Sequence, residues 1–198
     1  MERETGSAQA PEAAPAEAPG QDWNVVVTAY DRGFLRALRL LRRIGRVERT
    51  GYRNVIAVTV DDVDEFLDRL ATLAAEVPDV RTAISRAVPC ALTFDFRSHE
   101  EFEARAREIA LDWAPALAGK SFHVRMHRRG LKGRISSQDE ERFLDRALLE
   151  ALEAAGTPGS ITFENPDAII DVETLGGRAG MSLWSREDLR RYPFLKID

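Results

Sequence analysis

The sequence predicts an α+β protein of two folded units behind a short leader, on the strength of three observations. Residues 1–22 contain no aromatic and no β-branched aliphatic side chain, whereas from Trp23 onward apolar residues recur at strand and helix spacing. Residues 23–89 read as strand, helix, strand, strand, helix, strand, which is the ferredoxin-like order. Residues 90–198 open on a new apolar strand and hold two capped helices and a hairpin, the make-up of a second, α/β unit.

Each element has its own justification. Residues 23–29 are a short apolar run with three valines, stopped by Tyr30-Asp31-Arg32-Gly33, and read as a buried strand and its turn. Residues 34–43 place Leu35, Leu38 and Leu41 at helical spacing, with Gly45 as the stop signal. Two strands follow, at 46–50 and 54–60, with a turn around Gly51. Asp61 and Asp62 can cap the next helix, whose stripe is Val63, Phe66, Leu67, Leu70 and Leu73 and which Pro78 ends. Residues 80–88 are expected to be one strand, and 90–94 the first strand of the second unit. Ser98 with Glu101 forms a capping box before Phe102, Ala106, Ile109, Ala110 and Trp113. After a strand at 121–128, Ser137 with Glu140 repeats the box before Phe143, Leu144, Ala147, Leu148 and Ala151. The Asn165-Pro166-Asp167 turn introduces a hairpin, 168–174 and 178–184, across Gly176-Gly177, and Ser185 with Asp188 caps a last short helix.

Composition narrows the function classes. The formal charge is −5 over 198 residues, but residues 1–22 set Glu2, Glu4, Glu12, Glu17 and Asp22 against Arg3 alone, so the acidity belongs mainly to the leader. That leader is too poor in apolar residues to offset its ordering entropy and is expected to be disordered. No apolar run approaches the roughly 18 residues of a membrane span, and no signal-peptide core is present. Cys90 is the single cysteine, which excludes an intrachain disulfide and a multi-cysteine zinc site. A reduced, cytoplasmic protein is expected.

The catalytic inventory is thin. There is no phosphate loop, no dinucleotide fingerprint, no nucleophile elbow and no CxxC pair. His123 and His127 lie on an expected strand, where four residues span about 13 Å, too far for one metal ion to bridge both rings. Asp61, Asp62, Asp139, Glu140 and Glu141 occupy first helical turns, where the macrodipole favours acids. Glu100, Glu101 and Glu103 read as a solvated face and Cys90 as a buried thiol. The expectation is no metal, no cofactor and no enzyme activity of the chain's own.

Residues 120–134 carry Lys120, Arg125, Arg128, Arg129, Lys132 and Arg134 without one acid. Strand alternation turns Phe122, Val124 and Met126 toward a core and His123, Arg125, His127 and Arg129 the other way. That second face suits a phosphate backbone, with imidazoles to stack on unpaired bases. A second basic stripe, Arg32, Arg36, Arg39 and Arg43, follows the first helix, and Arg42, Arg46, Arg49 and Arg53 extend it. Two basic patches point to an extended anionic partner. Solvated surface arginines are the bland reading of the same residues.

The run Phe-His-Val-Arg-Met-His-Arg-Arg-Gly at 122–130, the capped helix after it, the stretch 161–173 around Asn165-Pro166-Asp167, and Ala-Gly-Met-Ser-Leu at 179–183 resemble a THUMP domain. In particular they resemble the stand-alone THUMP proteins that serve as adaptors for tRNA cytidine N4-acetylation. The resemblance covers about residues 90–185, and the unit before it matches the ferredoxin-like domain that accompanies THUMP in tRNA-modifying enzymes. It implies tRNA binding at the acceptor stem and 3′ end; the residues that charge and alternation assign to that contact are Lys120, His123, Arg125, His127, Arg128, Arg129, Lys132 and Arg134, with Arg36, Arg39 and Arg43 of the first unit. It also implies a non-catalytic adaptor whose partner is a separate tRNA-modifying enzyme, an acetyltransferase by resemblance. THUMP enzymes carry a further catalytic domain, and only about a dozen residues follow the hairpin here. The competing readings are a ligand-sensing or protein-interaction module without RNA binding, and a compact enzyme of a new type.

Overall fold

In the computed structural model the described residues are 22–197, so the leader reading, Asp22 apart, lies outside them. The first sheet, antiparallel in the order β2-β3-β1-β4, joins β1 (Val25–Ala29), β2 (Arg46–Arg49), β3 (Val55–Thr59) and β4 (Ile84–Pro89). Helices α1 (Phe34–Leu41) and α2 (Val63–Glu76) cover one face. β1 is central and buried on both sides, so its sequence is a run of valines rather than an alternation. Val25 and Val27 meet the helices, while Val26 packs with Trp23, Ala57, Cys90 and Leu175 toward the second sheet.

Two local expectations change. Leu35 is 62% exposed, and the inner face of α1 is instead Ala37, Leu38 and Leu41. Residues 80–88 are not one strand: Asp79–Ala83 form a one-turn helix, α3, before β4 begins. Pro78 therefore opens that turn as well as closing α2, its restricted φ already suiting a helical start.

The second sheet runs β5-β9-β8-β6-β7, with β5 (Leu92–Asp95), β6 (Ser121–Arg129), β7 (Ser160–Ile161), β8 (Ala168–Leu175) and β9 (Arg178–Ser185). β6 is parallel to both its neighbours; the other pairs are antiparallel. Helices α4 (His99–Asp112) and α5 (Ser137–Ala154) press Phe102, Ala106, Leu144 and Leu148 onto Phe122, Val124, Met126, Ile170 and Val172. Ser98 caps α4, but Glu101 returns to the N–H of Arg97 rather than to that of the cap. On α5 the cap is Ser136, one residue earlier than expected, and Glu140 is buried against His99 instead of closing a box. The full capping box forms at Ser185 and Asp188, opening α6 (Arg186–Arg191). Beyond it, Tyr192, Phe194, Leu195 and Ile197 return to the core of the first unit.

β7 pairs with only the start of β6, and α5 covers the edge beyond it. The N–H groups of Val124 and Met126 donate to the Asp145 and Glu141 carboxylates at 2.9 and 2.8 Å. This satisfies edge donors that would otherwise recruit another strand. Burial pushes the Asp145 carboxyl up to about 6, against the hydrogen bond from Val124 and the charge of His123. The folded state therefore holds this proton more tightly than the unfolded chain does, and the contribution of Asp145 to stability falls as pH rises from about 4 to about 6. Asp145→Asn keeps an acceptor for Val124 and cannot ionise. Thermal melts across pH 4 to 7 are expected to show a flatter profile over that window and a variant at least as stable as the parent at pH 7. A lower melting temperature for the variant at pH 7 would mean that the ionised carboxylate stabilises the edge.

Candidate nucleic-acid interface

Phe122, Val124 and Met126 face the core of the second unit, as alternation predicts. The opposite face of β6 is not open, and this corrects the basic-strand expectation. His123 is fully buried, its Nδ1–H donating to the Thr162 carbonyl at 2.9 Å. His127 donates from Nε2 to the Ile197 carbonyl at 2.8 Å. Arg129 pairs with Glu173 and reaches Thr28 Oγ1 at 3.4 Å. Arg128 turns onto the carbonyl of Gly130, and Arg125 is half-buried, 3.9 Å from Glu141. The physical reason is placement: β6 lies between β8 and β7, and the first unit and the returning C-terminal segment lie over its second face. Lys120, Lys132 and Arg134 are the members of this run that stand exposed. On the first unit, Arg36 pairs with Asp79 at 3.2 Å and Arg43 with Glu76 at 3.3 Å, whereas Arg39 is exposed with no ion pair among the described residues.

A buried charge network, which the sequence reading missed, joins the two sheets. Arg86 of β4 donates to Asp171 at 3.0 Å and to the Lys196 carbonyl at 2.5 Å, and also pairs with Glu173. Glu173 in turn takes Arg129, so two guanidinium groups balance two fully buried carboxylates. Burial and then Glu173 push the Asp171 carboxyl upward against Arg86, and burial lowers the His127 imidazole. Burial likewise raises the Cys90 thiol, as an inert thiol requires. Arg86, Asp171 and Glu173 sit in apolar strand sequences, and no local pattern announces that they meet.

The metal expectation considered only His123 and His127, which the structure keeps apart on separate partners. Tertiary contact instead gathers His99 with Glu103 and Glu140, and His127 with Asp171 and Glu173, each set with ligand atoms within 4.8 Å. In the second set Arg86 and Arg129 already occupy the carboxylates. In the first, Glu140 raises His99 through a 2.5 Å hydrogen bond that ties α4 to α5.

One end of the molecule collects cations from distant segments. Tyr52, in the β2–β3 loop, lays its hydroxyl over Gly130 and Gly176 so closely that a Cβ on Gly130 would collide with it. The loop carrying Arg53, which starts just after Arg49 at the end of β2, thereby meets the loop carrying Lys132 and Arg134, and Arg134 donates to the Arg97 carbonyl at 3.2 Å. Arg32 follows Asp31, which pairs with Arg53 at 3.1 Å. Among the described residues Arg32, Arg97, Lys132 and Arg134 are exposed and have no carboxylate partner.

The architecture is that of an α+β protein with two sheets whose loops build a basic end face. No protein-family model matches the sequence, and no curated protein matches it. Among solved structures it is similar to PH1313 from Pyrococcus horikoshii Ot3, with TM-score 0.59 and 14% identity over 81% of this chain and 53% of that one. It is similar to TrmN from Thermus thermophilus, with TM-score 0.53 and 22% identity over 80% of this chain and 44% of that one. It is also similar to a 4-thiouridine synthetase solved with RNA and ATP, with TM-score 0.51 and 16% identity over 81% of this chain and 41% of that one. The chain thus spans about half the length of the structures it matches, and the likeness is one of fold. It overturns the expectation that the chain is no enzyme: this α+β fold occurs within a 4-thiouridine synthetase and a possible methylase from Clostridium difficile 630. Missing cofactor motifs do not by themselves separate this fold from enzymes.

Among the described residues no helix is long and apolar enough to cross a membrane.

Proposed function

We propose that this is a cytoplasmic tRNA-binding protein that presents the acceptor stem and single-stranded 3′ end of tRNA to a modification activity. Residues 23–89 act as its ferredoxin-like domain and 90–198 as its THUMP domain, with the last turn of chain lent back to the first. The carrying observation is the end face, where Tyr52 joins the loop carrying Arg53 to the Lys132–Arg134 loop. Exposed arginines and lysines without carboxylate partners are free to replace the counterions of a phosphate backbone. A match to a synthetase solved with RNA supports the same reading, as do the tRNA-modification proteins that the sequence resembles. A tRNA cytidine N4-acetyltransferase is the partner type which that resemblance implies.

Single-stranded ends can be read by stacking and edge contacts, whereas an A-form stem offers mainly backbone. Intact tRNA is therefore expected to bind more tightly than the same tRNA trimmed of its 3′-terminal CCA, in gel shifts at one salt concentration. Equal affinity would remove the 3′ end from the proposal. No binding even at low salt would favour a ligand-sensing or protein-interaction module instead.

A further inference from the structure

We infer that Phe163 is a stacking platform for an unpaired nucleobase, an inference that rests on the tRNA reading above. Phe163 is 63% exposed, which is uncommon for a phenyl ring on a well-anchored loop. The loop between β7 and β8 is tied at both ends. Thr162 donates its N–H to the Phe122 carbonyl at 3.1 Å, and its own carbonyl accepts from His123. Asp167 accepts from the N–H and hydroxyl of Ser121 at 2.9 and 2.8 Å. Arg186 holds the carbonyls of Asn165 and Pro166 at 2.6 and 3.0 Å.

The phenyl ring rests on the buried His123 imidazole, with centroids 4.9 Å apart and planes at 40°. It is thus backed on one side and open to solvent elsewhere. A ring already held in place loses little side-chain freedom when a base stacks on it. Its surroundings favour a nucleotide over a protein. The other large exposed apolar residues, Tyr30, Leu35 and Leu92, belong to the first unit or to β5 at the far edge of the sheet, so Phe163 stands outside any wide apolar patch. The flanking segments carry cations as well as the exposed acid Glu164: Lys120 and Arg186 act on Asp167 at the end of the loop, and Arg125 lies two residues beyond His123 on β6. The carboxylates nearest β6, Asp145 and Glu141, are engaged by its backbone N–H groups.

Base stacking and phosphate contact separate in their salt dependence. Phe163→Ala and Phe163→Trp are titrated against tRNA with its single-stranded 3′ end and against a blunt acceptor-stem duplex, at several salt concentrations, beside thermal melts. The expected result is a loss of roughly tenfold for Phe163→Ala on the tRNA alone, with an unchanged slope of log affinity against log salt. Phe163→Trp is expected to bind as the parent does, and both variants to melt near it. If the parent binds tRNA and Phe163→Ala binds it equally well, or if the loss appears equally on the blunt duplex, stacking at Phe163 is refuted while RNA binding stands. If the parent binds neither RNA, the tRNA reading and this inference fall together.

Discussion

Arg86→Met is expected to lower the melting temperature by about 10 °C or more. The substitution leaves Asp171 fully buried without the guanidinium that donates to it at 3.0 Å, and leaves Glu173 with Arg129 alone. Breaking a buried pair by removing one partner typically costs about 3–5 kcal/mol. A chain of this size loses roughly 2–4 °C per kcal/mol. The cost is that of stranded charge, so deleting both charges of the pair should restore most of it: Arg86→Met with Asp171→Asn leaves Arg129 on Glu173 and is expected to melt well above the single variant. If Arg86→Met alone melts as the parent does, water or the Arg129 side chain compensates, and the network does not hold the two sheets together.

Replacing Arg97, Lys132 and Arg134 together with Ala is expected to weaken tRNA binding by roughly 100-fold while leaving the melt nearly unchanged. Each lost phosphate contact is worth on the order of 1 kcal/mol and contributes about 0.7 to 0.9 to the salt slope, the single-strand and B-DNA values. The slope should therefore shrink by about 2 to 3. These side chains are exposed, and surface changes of this kind usually alter stability by about 0.5 kcal/mol or less. An equivalent substitution of Arg125, Arg128 and Arg129 is expected to behave differently. Arg129 is bound to buried Glu173, so that variant should lose stability before it loses RNA contacts. A triple Arg97, Lys132, Arg134 variant that binds tRNA like the parent, with the same salt slope, would move the interface away from the end face.

Much of this protein is determined by local sequence. The valine run of β1, the caps at Asp62, Ser98 and Ser185, and the apolar stripes of α2 and α4 follow from propensity and periodicity, which act within a few residues. So does the strict alternation of β6, which sent Phe122, Val124 and Met126 to one face. Alternation states that two faces differ; it does not state what lies against each. The tertiary structure decided that by setting β6 between β8 and β7 and folding residues 192–197 back over the first unit, with His123 buried and His127 and Arg129 only partly exposed. The same long-range packing brought Arg86 to Asp171, 85 positions away, and Tyr52 to Gly130. Burial and ion pairing depend on every segment that comes near, so the cations exposed to a partner could be chosen only once the chain had closed around the others.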